Sequence, residues 1–546
     1  MPRRSLQTVT GVVVAVLAAV VVAGCGNNDP QGSAGGAGGS DSEAKSRLVV
    51  AVVNTPPTLD TDFFAGTPQS WEIADNLYDT LHYYKTDDAA TERSFTEFEP
   101  RLAESIEQGD DGVWTVKLRQ GVKNQLDHEM TADDWIWSWE RATAVNGVGA
   151  FLGAQIGITD MKQVKKVDDY TVELHPKGPS PILPHILTTV YHPVYDSQEV
   201  KKHATDADPW ARDWLATNAA GYGPYYVESL KAGSQMVLRA NPNYWDGKPA
   251  IDTVIYKAVP ESSNRLALVR SGDVDIALGL SSQQLKSIED GGDKSLEIYT
   301  APSNNEIALT MNAKKKPLDD PQVRQAILYA LPYDQVLNDV FNGWAKPLKS
   351  WIPSMFEGYT DEYFPYTTDP AKAKQLLDQS GASLPIKLTA VYGPFHPEAE
   401  ALMVAVRTAL AEVGVDLTLE PVTTAKFGKL ALDRSADMML TVSLQSHALD
   451  AGFGIGQFAD CDPAYGFLNW SNYCNEEANA LFKQARSEAD PEKRLEEIRE
   501  MQRVFSEDPP WAVLGTFPFA IVHRSNVSGI LWAPDDGLKF AEITKE

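Results

Sequence analysis

Three cysteines carry the only thiols in the chain, and their settings point to two kinds of chemistry. Cys25 ends the run Val22-Ala23-Gly24-Cys25, behind Arg3, Arg4 and an uncharged stretch from Gly11 to Val22. A basic start, a short apolar run and small residues before a cut describe a secretory signal. The run is shorter than the ~20 residues a spanning helix needs. Cys461 and Cys474 remain as a pair. In an exported chain, two cysteines so close predict a disulfide closing a short loop, a closure contributing about 3 kcal/mol in the chain-entropy view. No His or further Cys sits beside them at zinc spacing. His185, His192 and His203 fall at no regular metal spacing and read as exposed. The chain has no Gly-x-Ser-x-Gly elbow and no His-Glu-x-x-His pair. With 75 Asp and Glu present, paired carboxylates discriminate nothing. The expectation is a binding protein, with neither catalysis nor cofactor nor bound metal.

Gly26 to Ser46 is a Gly, Ser, Asn and Ala tract that cannot build a core. As a flexible coil of ~20 residues it spans roughly 25 Å. The body that follows is about 500 residues long, which predicts two or three domains or lobes. The net charge of −27 argues against nucleic-acid binding, since that binding rests on basic residues neutralising phosphates. Thirteen Trp and 20 Tyr supply both core packing and material for an aromatic ligand cleft.

The elements that must position a site alternate between strand and helix. Apolar, β-branched Leu48 to Val53 predicts the first strand. Trp71 to Tyr84 reads as a helix from Ile73, Leu77 and Leu81. Trp114 to Arg119 alternates as a strand, and Thr131 to Asp134 caps a helix through Trp135, Trp137 and Trp139. Strands follow at Tyr170 to His175, Gln235 to Arg239 and Thr253 to Val259. The second half predicts helices from Asp320-Pro321, over Pro370 to Gln379, over Glu398 to Glu412, and over most of Asn475 to Phe505. Strands Ile386 to Val391 and Asp416 to Glu420 flank the long helix as a βαβ-like unit. Met438 to Val442 is a buried strand. Gly452 to Gly456 lacks the strand-turn-helix context of a phosphate cradle and reads as a cleft-edge loop. Ala512 to His523 is the closing strand. The pattern is α/β with several sheets, in two lobes between which the chain crosses more than once.

Several segments together resemble the family 5 extracellular solute-binding proteins, the oligopeptide and dipeptide receptors of ABC importers. They are Leu102-Ala103-Glu104-Ser105, Asp111 to Lys123, Ser138-Trp139-Glu140-Arg141, Gly221-Tyr222-Gly223-Pro224-Tyr225, Asn241 to Trp245, Arg270 to Ile276, Asn312 with Val323 to Ile327, and Asp369 to Leu377. Each segment alone is weak; their order is specific. Val22 to Cys25 likewise resembles the lipobox of bacterial lipoproteins, which implies lipid on the Cys25 thiol and a tether outside the membrane. The resemblance implies a two-lobed, periplasmic-binding-protein-like fold of class II, the large lobe carrying an extra subdomain and the ligand lying in the cleft between lobes. The expected parts are a signal peptide (1–24), a linker (25–47), lobe 1 (48–86 and 181–304), its extra subdomain (87–180), lobe 2 (305–515) and a return to lobe 1 (516–546). Expected partners are a short peptide or other small solute, the ABC permease subunits, and the membrane through Cys25, with the receptor monomeric.

Peptide receptors of this family carry a Trp and then an Asp after the strand matching Met438 to Val442, and that Asp pairs with the ligand's ammonium. Here the segment reads Ser443-Leu444-Gln445-Ser446-His447-Ala448-Leu449-Asp450, with no Trp. Two readings stay open. Either Asp450 takes over through a shifted loop, or the ligand lacks an exposed α-amino group, because a buried ammonium needs an acidic partner. By position the cleft candidates are Phe63, Phe64, Tyr225, Asn304, Asn305, His396, Arg434, Gln445, Ser446, His447 and Asp450. Arg434 would suit a carboxylate, and a Phe would suit stacking.

Overall fold

The computed structural model describes residues 45–63, 68–87, 93–190, 192–445, 448–533 and 537–546. Cys25, Phe64, Ser446 and His447 lie outside the described residues. Among the described residues no helix is long and apolar enough to cross a membrane.

Lobe 1 is built on a seven-stranded sheet in the spatial order Leu296–Ala301, Phe519–Arg524, Ile276–Ala277, Arg47–Val52, Thr253–Ala258, Gln235–Ala240, Tyr225–Lys231. The first strand, Arg47–Val52, runs parallel to both of its neighbours and is almost entirely buried, which explains its continuous run of Val and Ala. A four-stranded sheet (Ala103–Gln108, Trp114–Leu118, Thr171–Leu174, Val164–Asp168) forms the subdomain. Trp135 and Trp139 of the helix Ala132–Val145 are buried in one hydrophobic cluster with its strands. That helix starts where Thr131 and Asp134 form a capping box, as its sequence predicts.

Lobe 2 holds a five-stranded sheet in the order Val415–Pro421, Ile386–Tyr392, Met438–Gln445, Asn305–Met311, Trp511–Gly515. The helix Ala399–Glu412 joins two parallel strands of this sheet. Cys461 and Cys474 form a disulfide with Cα atoms 4.9 Å apart.

Three expectations are corrected. The helix expected to reach Tyr84 is Pro68–Leu77, and His82–Thr86 is a strand. The Leu77 carbonyl accepts the Gly223 N–H, and Asp79 turns the chain by accepting the Thr80 N–H. The closing strand is two strands, Trp511–Gly515 in lobe 2 and Phe519–Arg524 in lobe 1. Gly515 makes the break at φ 151°, and a Cβ there would stand 2.7 Å from the Lys346 carbonyl. The glycine-rich segment after Asp450 is the helix Ala451–Ala459, because the Asp450 carboxylate caps it by accepting the Phe453 N–H at 2.8 Å.

In lobe 1, Arg141 lies fully buried between Asp60 (2.6 Å) and Asp62 (2.5 Å). Gly147 allows the approach of this loop, since a Cβ would meet Asp62 Oδ1 at 2.3 Å. Replacing Arg141 by Ala strands two buried carboxylates, and the expected cost is about 3–5 kcal/mol. Urea unfolding checks this, with Asp62→Asn expected to be much milder because it removes a charge instead of orphaning two.

Candidate functional site

The chain passes from lobe 1 to lobe 2 between the strands Leu296–Ala301 and Asn305–Met311, and returns between Trp511–Gly515 and Phe519–Arg524. Asn305 joins the two passages. Its Oδ1 accepts the Phe517 N–H at 3.2 Å, its carbonyl accepts the Thr516 hydroxyl at 2.8 Å, and its Nδ2 donates to Ser303 Oγ at 2.6 Å. Asn304 is buried beside it. The backbone of Gln445 pairs with Asn305 across the lobe-2 sheet, so the strand Met438–Gln445 ends at this crossing. These three expected site residues therefore come together at the floor between the lobes.

Further out, the lobes touch directly. Tyr84 of lobe 1 accepts the Leu449 N–H at 2.8 Å, and its hydroxyl lies 3.1 Å from His185 Nδ1. Ala448 is buried in the same cluster as Trp135 and Trp139 of the subdomain. Gln155 donates to the Ala464 carbonyl at 2.8 Å, and the rings of Phe151 and Phe467 are 4.9 Å apart. Ala464 and Phe467 sit in the loop closed by the disulfide. On the other flank, Glu398 Oε1 of lobe 2 accepts both the N–H and the hydroxyl of Ser282 of lobe 1, at 2.6 and 2.7 Å. His396, 2.7 Å from Glu398 Oε2, packs its ring against Phe341 and Phe517.

The remaining expectations part company with the cleft. Asp450 is committed: besides capping its helix it pairs with Arg494 at 2.7 Å. Burial works to raise its carboxyl, but the Arg494 charge, with His185 and the Phe453 N–H, holds it below the usual carboxylate range. Tyr225 is a core residue whose hydroxyl donates to the Ile251 and Phe540 carbonyls. Arg434 precedes the amino end of the strand Met438–Gln445, opposite the end that meets Asn305, and its guanidinium donates to the Gly466 carbonyl. Phe63 does stack, but under the Arg212 guanidinium at 3.7 Å. His192 is buried against Trp139 at 4.0 Å, not exposed. Burial pushes its imidazole down to about 3.

Tyr84, Glu306 and Arg494 were not singled out from sequence: Tyr84 fell inside the expected helix, and the others stand in no motif. His185, read as exposed, is half-buried because it packs against Tyr84 and Phe98. Beside the Arg141 group, burial and the charge of Asp60 push the Asp62 carboxyl up to about 6, against the pull of Arg141. A cavity of about 420 Å³ lies elsewhere, in lobe 1, with Asp75, Asp79, Tyr83, Arg101, Lys539 and Glu542 on its wall. Its basic groups Arg101, Lys539 and Lys248 already pair with Asp79, Asp75 and Asp252, so it offers an anionic ligand few unmatched cations.

With this geometry in view, comparison with known proteins places the chain. The family model for bacterial extracellular solute-binding proteins, family 5 Middle, matches residues 97–466. The chain belongs to that family. It is 28% identical over 504 residues to the probable D,D-dipeptide-binding periplasmic protein DdpA of Escherichia coli, covering 90% of this chain and 92% of that protein. Its fold matches the periplasmic binding protein DppA of Helicobacter pylori in complex with the peptide STSA, with TM-score 0.81, 23% identity, and coverage of 93% and 100%. It also matches MoaA of A. tumefaciens in complex with mannopinic acid, with TM-score 0.78, 23% identity, and coverage of 92% and 100%. The two-lobed α/β architecture is that of the family.

His185 faces Asp450, Arg494, Tyr84 and His82, and burial above all, with Arg494, lowers its pKa against the pull of Asp450. A neutral Nδ1 can accept the Tyr84 proton while Tyr84 accepts from Leu449. If the lobes part, as a hinge-closing receptor requires, His185 would return toward the ordinary value of about 6.5. The arrangement seen here would then be fully available above that pH and weaken below it, where the parted form takes up a proton first. Small-angle X-ray scattering of the ligand-free protein should show the radius of gyration rising as pH falls below about 6.5. His185→Gln should flatten that dependence.

Proposed function

We propose that this chain is the lipid-anchored capture subunit of an ABC importer. It takes up a peptide or peptide-like solute between its lobes, closes on it, and delivers it to the permease. Family membership supports the importer role. The contacts from Tyr84 to Leu449 and from Ser282 to Glu398 are the kind that a hinge-closing receptor makes and breaks. Lipid on Cys25 would hold the receptor at the membrane face, where a tether raises its effective concentration at the permease.

One observation supports a reading of the ligand's class: the carboxylate of Asp450 is already neutralised by Arg494 and spent on the helix cap. A ligand ammonium therefore finds no acid at Asp450. This favours a solute whose amino end is blocked or absent, such as an acylated peptide or a sugar-acid conjugate, over a free-amine peptide. MoaA, whose bound ligand is mannopinic acid, has this same fold around a ligand that is not a peptide.

Titration calorimetry with paired free and N-acetylated di- and tripeptides, and with sugar-acid conjugates, tests this reading. Blocked ligands should bind at least tenfold more tightly than their free-amine partners. The reverse order, abolished by Asp450→Ala, would falsify it. Cys25→Ser should release the protein from membranes into the soluble fraction.

A further inference from the structure

Four consecutive polar residues at the floor between the lobes are buried: Ser303 is 6%, Asn304 1%, Asn305 6% and Glu306 4% exposed. Buried polar side chains are the informative exception in a protein interior. Asn305 has its own task at the crossing. Glu306 is different. Its Oε2 accepts the Trp511 indole N–H at 3.0 Å. Among the described residues only that indole acts on the carboxyl besides burial itself, and no cation pairs with it.

It stands beside the crossing between the lobes. Glu306 is the first lobe-2 residue after the Asn305 crossing. It pairs in register with Leu444, two residues before the Ser446-His447 segment, and that segment leads into Ala448 and Leu449, which touch lobe 1. The strand Asn305–Met311 is irregular against both of its neighbours between Glu306 and Ala308. Such irregularities re-aim side chains and recur beside binding sites.

We propose that Glu306 is a specificity-determining residue of the ligand site, present as a neutral carboxylic acid whose O–H donates to a carbonyl or carboxylate oxygen of the bound solute. This rests on reading the interlobe cleft as the receptor site. It deepens that reading by naming the group that replaces an ammonium-binding carboxylate. Burial without a cation lifts the Glu306 carboxyl well above its usual value, against the opposing Trp511 N–H. A neutral acid is the form such a site stabilises. A donor at the cleft floor selects solutes with an acceptor at that end and offers nothing to a cation.

Calorimetry with N-acetyl-alanyl-alanine and alanyl-alanine as probes tests it on the wild type, Glu306→Gln and Glu306→Leu. The amide of Glu306→Gln keeps a donor, so binding of the acetylated probe should stay within about threefold of wild type. Glu306→Leu should weaken it by about tenfold to a hundredfold. Wild-type affinity should fall at alkaline pH as Glu306 ionises, while Glu306→Gln stays flat. Loss of binding in Glu306→Gln, tightening with rising pH, or equal affinity in all three proteins would each overturn the proposal.

If the wild type binds neither probe, the peptide-like reading fails separately, and native mass spectrometry of the purified proteins judges Glu306. The same added mass on wild type and Glu306→Gln, missing from Glu306→Leu, supports it. Equal occupancy in all three, none included, overturns it. Should Glu306→Leu fail to fold, the wild-type and Glu306→Gln pH profiles still decide.

Discussion

The bond between Asn305 and Phe517 is the constraint on which the two-lobed arrangement turns. One strand leaves lobe 1 at Ala301 and another returns to it at Phe519. Each passage alone would be a free linker. Asn305 makes them one unit by accepting the Phe517 N–H on its side chain and the Thr516 hydroxyl on its carbonyl. Residues in a tied pair of crossings can rotate together but cannot slide past each other. Gly515, held in a conformation that side chains rarely adopt, sits beside this tie and lets the returning chain change direction. Everything carried by either lobe is therefore positioned relative to this short stretch.

Two styles of buried charge surround that frame, and they do different work. Arg141 with Asp60 and Asp62, and Arg494 with Asp450, are matched groups held by hydrogen bonds. Matched pairs fix local shape: the first seats the loop against the subdomain, the second anchors the helix Ala451–Ala459, whose Phe453 packs against the subdomain. Glu306 has an indole N–H and no opposite charge. Among the described residues Glu306, like Asp134 of the subdomain, is a buried carboxyl without a cation beside it, and Glu306 stands next to the crossing between the lobes.

Much of this architecture is legible in the sequence. Capping residues and periodicity place the helices Ala132–Val145 and Pro321–Ala330 and the parallel pair around Ala399–Glu412, because local signals and tertiary packing agree there. They disagree at Tyr84, where helical spacing of Ile73, Leu77 and Leu81 continues past a turn imposed by Asp79 and Gly223. They disagree again after Asp450, where one capping carboxylate outweighs three glycines. The site was less legible for a different reason. Asn304 and Asn305 lie at the crossing, as their place in the chain predicts, because that is where the chain must pass between the lobes. Tyr225 and Arg434 were misplaced because a turn motif or proximity to a strand does not say which end of the sheet a residue occupies. Only the direction of Met438–Gln445 against Asn305–Met311 settles that.

The directly touching groups also set the scale on which a ligand can act. Tyr84 to Leu449 and Gln155 to Ala464 are single polar contacts across the lobes, Ser282 gives Glu398 two, and Phe151 with Phe467 adds an aromatic pair. Each hydrogen bond contributes about 1 kcal/mol net, and the ring pair about the same. Closing, as proposed for this receptor, would also desolvate His185 and order the surfaces that meet. The balance between open and closed forms would then be set by a few kcal/mol. A solute that adds contacts only when both lobes surround it needs about 5 kcal/mol of such preference to turn a mostly open population into a mostly closed one. A small set of donors and acceptors at the cleft floor could supply that, which is the scale on which the role proposed for Glu306 would act.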